Sequence, residues 1–221
     1  MTYYYLIPNW FLGFDGALEL VFGVITLIIA CMALRIYQIT REKNIRHFSI
    51  AFFLISLSYL AWATINLSVV SKLAEGVSVL SLESISQIWR RGLYGYMALF
   101  TAGLSTLVYA TLNIKRSDIY YLILGLPLIA IAGSAQKVIL FRLVAVFLLS
   151  FIVHHYLEEY LQKRNPKTLS VTVAFILLLI SNIGLIFSAF YTSTYVISHL
   201  IELGAYTLFT ISLLRTLKKN K

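Results

Sequence analysis

Four ionisable residues stand out because they lie within or at the edge of long apolar stretches: Glu19, Arg91, Arg142 and Glu202. A charge at membrane depth costs about 2.5–3.5 kcal/mol even on the insertion scale, so each needs a partner or a function. With a rise of 1.5 Å per residue, the predicted helix boundaries place the three embedded groups roughly 6–11 Å below one membrane surface, with Arg91 at the surface itself. We therefore expect these side chains to meet in one polar layer.

Helical spacing adds further polar and aromatic side chains to this layer. In the last apolar stretch, Tyr195, His199, Glu202 and Tyr206 recur at i, i+4, i+7 and i+11, which places them on one helix face. Asp15 shares a face with Glu19 in the first stretch, and an aromatic and amide stripe occurs in the second. The residues predicted to line an outward-facing ligand site are Asp15, Glu19, Tyr59, Trp62, Asn66, Arg91, Arg142, Tyr195, His199, Glu202 and Tyr206.

Three kinds of chemistry remain open for such a layer. It is a structural ion-pair network if the two glutamates neutralise the two arginines. It is a binding site if it admits an ion or a small molecule. A metal or catalytic site would need three or four ligands, which only Asp15, Glu19, His199 and Glu202 offer, without a spacing typical of metalloenzymes.

Other cofactors have weaker support in the sequence. A retinal Schiff base is not expected, because no lysine lies between Lys167 and Lys218, where the last apolar stretch runs. His47, His154 and His155 lie near the opposite membrane surface, where a bis-histidine haem is conceivable but an interfacial role is the more ordinary reading. The cofactor content is left unknown.

Composition predicts the architecture that positions these residues. The chain has 221 residues, of which 60% are apolar and 12% charged, whereas soluble domains have about 45–50% apolar and about 25% charged residues. We expect an all-α, polytopic membrane helix bundle, one domain over residues 1–221, with about seven transmembrane helices. Their predicted ranges are 14–36, 48–70, 91–114, 118–134, 138–157, 169–191 and 195–216.

The distribution of Lys and Arg predicts an N-terminus outside and a C-terminus in the cytoplasm, through the positive-inside rule. Thirteen of the 18 basic residues fall in the predicted cytoplasmic segments. The remaining five, Lys72, Arg90, Arg91, Lys137 and Arg142, belong to the outer half. The net charge of +9 therefore indicates orientation in the cell membrane, with the lipid bilayer as partner, rather than nucleic-acid binding.

Two features leave the topology open in part. Helices 4 and 5 are joined by only three residues, so a re-entrant pair, and hence six spans, is an alternative. The longest outer segment, SKLAEGVSVLSLESISQIW, has Leu82, Ile85 and Trp89 at helical spacing. We predict that it lies along the membrane surface as an amphipathic helix, either as an interfacial anchor or as a lid over an outward-facing cavity.

The stretch RIYQITREKNIRHFSIAFFLISLSYLAWATIN, residues 35–66, resembles the first helical hairpin of poorly characterised archaeal seven-helix membrane proteins. This resemblance implies the fold and no functional residue. The leading hypothesis is a non-enzymatic module that binds a small ligand, acts as a sensor, or serves as a subunit beside other membrane chains or a signalling partner. A secondary transporter or proton relay using Glu19 and Glu202 is the alternative, and a membrane metalloenzyme comes third.

The topology is tested by single cysteines in a Cys31→Ala background. Lys72→Cys and Lys137→Cys should react with a membrane-impermeant thiol reagent added outside, because both positions are predicted to lie at the outer surface. Lys43→Cys and Lys167→Cys should stay unlabelled in intact cells. Equal labelling of Lys137→Cys and Lys167→Cys would contradict seven spans.

Overall fold

The computed structural model describes residues 12–74, 79–113, 116–188 and 190–219. Within these ranges the chain forms seven α-helices separated by short connections, which confirms the all-α prediction and the number of helices. The helices are α1 Leu12–Thr40, α2 Lys43–Ala74, α3 Val79–Thr111, α4 Ser117–Gly133, α5 Lys137–Lys163, α6 Pro166–Phe187 and α7 Thr192–Lys219.

Six of these helices contain a segment long and apolar enough to cross a membrane, so the chain is a multi-pass membrane protein. The segments are Phe14–Thr40, Lys43–Val69, Gln87–Thr111, Lys137–Lys163, Thr168–Phe187 and Ser193–Arg215. The exception is α4, which is apolar but has 17 residues. Its rise of about 25 Å is less than the roughly 30 Å of a bilayer core.

The segment predicted as a separate surface helix has a different structure. Its beginning continues α2 as far as Ala74, and its end belongs to α3, which begins at Val79; residues 75–78 lie outside the described ranges. The prediction of a surface helix was wrong because residues 79–91 contain no Gly or Pro that would end a helix before the membrane segment. The side chains of Leu82 and Ile85 are not described.

The helices form a ring of six with α4 on its outside. Each helix of the ring contacts the next in the order α1, α2, α3, α5, α6, α7, and α7 closes the ring against α1. Because α3 packs directly on α5, α4 lies in the groove on their outer side and contacts both. We call the end of the bundle where α1 begins the upper end; it also holds the α2–α3, α4–α5 and α6–α7 connections.

Aromatic rings fill the middle of the ring, and aliphatic side chains cover its outside. Tyr59 and Phe141 both pack edge-on against Phe100, with ring centroids 5.7 Å apart in each pair. On the outside, apolar side chains such as Leu126 and Ile129 of α4, 64% and 74% exposed, are not buried by the protein. An apolar surface of this extent fits contact with lipid rather than with water.

Glycines allow some of these helices to approach closely. A Cβ built on Gly103 of α3 would lie 2.6 Å from Cγ1 of Ile55 and 2.9 Å from the carbonyl oxygen of Ala51, both in α2. A Cβ on Gly95, two turns earlier on α3, would meet nothing within 4 Å. Small residues at contact points are a general device of membrane helix packing.

The close contact at Gly103 gives a stability prediction. Gly103→Ala should lower the free energy of unfolding by about 1–3 kcal/mol, because the backbone of Ala51 cannot yield as a side chain can. Gly95→Ala is the matched control and should leave stability unchanged or raise it by up to about 1 kcal/mol, since Ala favours helix. The measurement is denaturation in detergent. Equal stability of the two variants would contradict the packing of α2 on α3.

Candidate functional site

The candidate site is a layer of polar side chains buried inside the upper half of the ring, which we call the polar layer. It consists of Asp15 and Glu19 on α1, Tyr59, Trp62 and Asn66 on α2, Arg142 on α5, Asn182 on α6, and Tyr195, His199, Glu202 and Tyr206 on α7. Its three carboxylates are almost inaccessible, with exposures of 2% for Asp15, 4% for Glu19 and 1% for Glu202. Ten of the eleven residues predicted for the site therefore lie in this layer.

The helical period of α7 determines which of its side chains enter the layer. Tyr195, His199, Glu202 and Tyr206 are all buried, whereas Ile197 and Leu200 between them are 55% and 56% exposed. Isoleucine and leucine tolerate the lipid-facing side, so the polar side of α7 faces the ring. The predicted stripe thus corresponds to the inner face of the helix.

Glu202 links α7 to α2 through a tyrosine hydroxyl. The Tyr59 hydroxyl donates a short hydrogen bond to Oε1 of Glu202. The same hydroxyl lies 3.1 Å from the hydroxyl of Tyr206, one helical turn after Glu202. All three side chains are buried, so this interaction is shielded from solvent.

Glu19 links α1 to α2. The Asn66 side-chain amide donates to Oε2 of Glu19 over 2.7 Å, and the Trp62 indole interacts with the same carboxylate. Both side chains come from the upper part of α2, one turn apart. The aromatic and amide stripe predicted on the second helix therefore contacts two acids, since its third member, Tyr59, bonds Glu202.

Asp15 links α1 to α7. The Tyr195 hydroxyl donates to Oδ1 of Asp15 over 2.6 Å. The same carboxylate oxygen lies 3.7 Å from Nε2 of His199. These two contacts lie at the seam where α7 closes the ring against α1.

His199 lies at the centre of the layer, and its ring nitrogens lack hydrogen-bond partners within the described ranges. Its Nδ1 lies 3.4 Å from Oε2 of Glu202, so the ring is held between carboxylates from two helices. These distances are within ion-pair range, but neither nitrogen has the geometry of a hydrogen bond to any group in the described ranges, although both are buried. The imidazole also stacks on Phe22, with ring centroids 5.8 Å apart and an interplanar angle of 22°.

Arg142 enters the layer from α5 and is oriented by an amide that the sequence analysis overlooked. Its Nη1 donates to Oδ1 of Asn182 over 3.3 Å. The Asn182 amide in turn donates to the carbonyl oxygen of Leu178 over 2.9 Å. The guanidinium interacts electrostatically with Asp15 and Tyr195. A lone amide in the middle of an apolar helix was the signal that would have identified Asn182.

Arg91 is the predicted site residue that lies elsewhere. It is exposed on α3 at the upper end and does not enter the buried layer. Two arginines were expected to neutralise the two glutamates, but only Arg142 lies in the layer. In the described part of the layer, three acidic side chains face Arg142 and His199, so negative charges would outnumber positive ones by at least one if all three acids were ionised.

A metal centre gains no support from the geometry. Nowhere in the described ranges do three or more His, Cys, Asp or Glu side chains converge in a way that would hold a metal ion. At the lower end, His47 packs edge-on against Tyr109 with centroids 5.3 Å apart, and His154 lies beside Glu158 at 3.4 Å. These are ordinary interfacial contacts.

A double-mutant cycle on Tyr59 and Glu202 tests whether the layer is coupled. Tyr59→Phe should destabilise the protein by about 1–3 kcal/mol, because it leaves a buried carboxylate without its donor. In a Glu202→Gln background the same change should cost much less. The exposed Tyr121, on α4, supplies the control Tyr121→Phe, which should have no effect in either background. Additive losses would show that the two side chains do not interact.

Comparisons with known proteins do not place this chain in a family. No protein-family model, no curated protein and no solved structure matches it. The resemblance of residues 35–66 to archaeal seven-helix proteins therefore stays a prediction. The polar layer is the basis on which function is argued.

Proposed function

We propose that this chain is a non-enzymatic, multi-pass protein of the cell membrane that binds a proton in the polar layer. It acts as a sensor or as a subunit of a larger membrane assembly. The observation that carries this proposal is His199, which is buried between two carboxylates while neither of its nitrogens is hydrogen-bonded within the described ranges. A buried polar group of this kind is normally satisfied, so its arrangement favours a bound species.

The charges of the layer favour a cation over an anion or a neutral ligand. Asp15, Glu19 and Glu202 bring three acidic groups into a low-dielectric interior, where an uncompensated charge costs several kcal/mol. Arg142 offsets one of them. A proton bound at His199 would reduce any excess of negative charge that remains.

The position of His199 also indicates how binding could change the packing of the helices. Its two acidic neighbours lie on different helices, Asp15 on α1 and Glu202 on α7. A proton that draws these carboxylates together favours a closed seam between α1 and α7, and its loss favours a looser one. A ligand can shift such an equilibrium only by its difference in affinity for the two states.

We propose in addition that all seven helices cross the bilayer, with the N-terminus and the upper end outside. α4 runs beside α3 along most of its span. Its early residue Tyr120 packs on Tyr109, with centroids 5.0 Å apart, and its late residue Ile131 lines a cleft with Tyr94. A helix about 5 Å short of the bilayer core is accommodated by local thinning at modest cost. The positive-inside count supports the orientation.

Because the turns between the helices are short, a sensor of this design needs a second chain to carry its signal. The α1–α2 and α5–α6 connections at the lower end are two residues each. Neither has room for an effector domain. We therefore propose a partner chain in the membrane or at its cytoplasmic surface, recognised through the basic lower end.

A proton relay is the second candidate, and the Tyr59 hydroxyl favours it. This hydroxyl joins Glu202 to Tyr206, and thus extends the polar route by one turn towards the middle of the bundle. There Tyr206 and Asn182 border a cavity of about 10 Å³ whose other walls are apolar. A volume of roughly 10–15 Å³ is the least that admits a water molecule.

The proposal is tested by the pH dependence of stability in lipid nanodiscs. The thermal midpoint should rise with falling pH, because a proton bound by the folded state stabilises it by mass action. Each tenfold rise in proton concentration above the dissociation constant should add about 1.4 kcal/mol. The Asp15→Asn/Glu202→Gln double variant should lose this dependence, whatever its starting stability.

The control is Glu158→Gln, an exposed acid at the lower end, which should keep the wild-type response. An identical response in the wild type and in the double variant would overturn proton binding in the layer. Proton uptake into proteoliposomes driven by a potassium diffusion potential separates the two candidates. Flux that Tyr59→Phe abolishes supports the relay, and pH-dependent stability without flux supports the sensor.

A further inference from the structure

A second candidate site lies on the outside of the ring, in the cleft between α3 and α4 at the upper end. The cleft has a volume of about 300 Å³, which is at the low end of the roughly 300–1,000 Å³ of small-molecule pockets. Met97 and Ala98 of α3 form one wall, and Leu128 and Ile131 of α4 form the other. These walls are apolar, and the cleft lies on the face of the bundle that contacts lipid.

A positively charged side chain lies at the edge of this apolar cleft. Lys137, the first residue of α5, is part of its lining. Its Nζ donates to the carbonyl oxygens of Ala132 and Ser134, each over 2.8 Å, and is thereby held over the end of α4. An ammonium group has three donors, so one remains for a ligand.

Arg91 provides a second positive charge on the same side. Arg91, Tyr94 and Ala98 occur at i, i+3 and i+7 of α3, so the arginine lies one turn above the cleft on the face that lines it. Its side chain is exposed. The position of Arg91 therefore fits a role at this cleft, whereas its side chain does not enter the polar layer.

The basic residues at this point are not explained by membrane orientation. The positive-inside rule places Lys and Arg at the lower end and leaves the upper end poor in them. Two of the five basic residues of the predicted outer half nevertheless flank the same cleft. Basic pockets between transmembrane helices bind anionic lipid headgroups in other membrane proteins, where they are best known on the cytoplasmic side.

We propose that this cleft binds one phospholipid with an anionic headgroup. The acyl chain lies between α3 and α4 against Met97, Ala98 and Leu128, and the headgroup lies between Lys137 and Arg91. The lipid would fill the groove beside α4, the helix that packs outside the ring. This site is independent of proton binding in the polar layer.

Lipid binding is tested by native mass spectrometry of the protein in detergent, titrated with phosphatidylglycerol or with phosphatidylcholine of the same acyl chains. The wild type should bind one phosphatidylglycerol at least tenfold more tightly than phosphatidylcholine. Arg91→Gln/Lys137→Gln should remove this preference. The charge-matched control Arg35→Gln/Lys43→Gln, both exposed residues at the lower end, should keep it.

A second pair of variants tests the cleft rather than the charges. Ala132→Phe should obstruct the cleft and weaken phosphatidylglycerol binding at least tenfold, whereas Ala130→Phe, exposed on another face of α4, should not. The thermal midpoint in lipid-free detergent checks that both alanine variants fold. If Ala132→Phe does not fold, the charge variants still decide the question. Equal binding of the two lipids by the wild type, or an equal loss in the lower-end control, would overturn the proposal and leave only unspecific lipid contact.

Discussion

The cost of holding three carboxylates inside a membrane bundle is the constraint on which the rest of this structure depends. Each acid is stabilised by a donor from a helix other than its own. Asn66 of α2 serves Glu19, Tyr195 of α7 serves Asp15, and Tyr59 of α2 serves Glu202. Together these contacts tie α1, α2 and α7 to one another in a triangle. The seam that closes the ring is therefore polar at its upper end, although the ring as a whole is packed by apolar side chains.

This arrangement separates the parts of the molecule that give stability from the part that can respond. The aromatic centre and the close contacts at glycines such as Gly103 fix the distances between helices, and sealed apolar packing has little freedom to change. The polar layer differs, because His199 lies near two acids but is bound to neither by a hydrogen bond within the described ranges. A buried group without hydrogen-bond partners, held inside a rigid bundle, is a site where a proton can bind. α4 stands apart from both, since it packs on the outside and borders the lipid-facing cleft.

The helices and the inner face of α7 were predictable from the sequence, because the 3.6-residue period and the cost of exposing polar groups to lipid leave few alternatives. The pairing of side chains was not, because it depends on how far each helix is rotated and shifted against its neighbours. Arg91 and Arg142 were both assigned to the layer, yet Arg142 alone points inward. Asn182 was missed because the layer was predicted from ionisable residues and from stripes at helical spacing, and a lone amide belongs to neither group. The extent of α3 was missed because amphipathic spacing is the same in a surface helix and in a continuous one.

The central claim, that Asp15, His199 and Glu202 form one incompletely satisfied unit, is tested most directly by a density map in lipid nanodiscs at a resolution that shows ordered water. The account predicts that the imidazole lies between the two carboxylates. Either compact density bridges a ring nitrogen to an acid, or the ring bonds directly to one of them when the site is protonated. A map in which His199 faces lipid, or in which Asp15 and Glu202 each pair with other groups far from the imidazole, would contradict it.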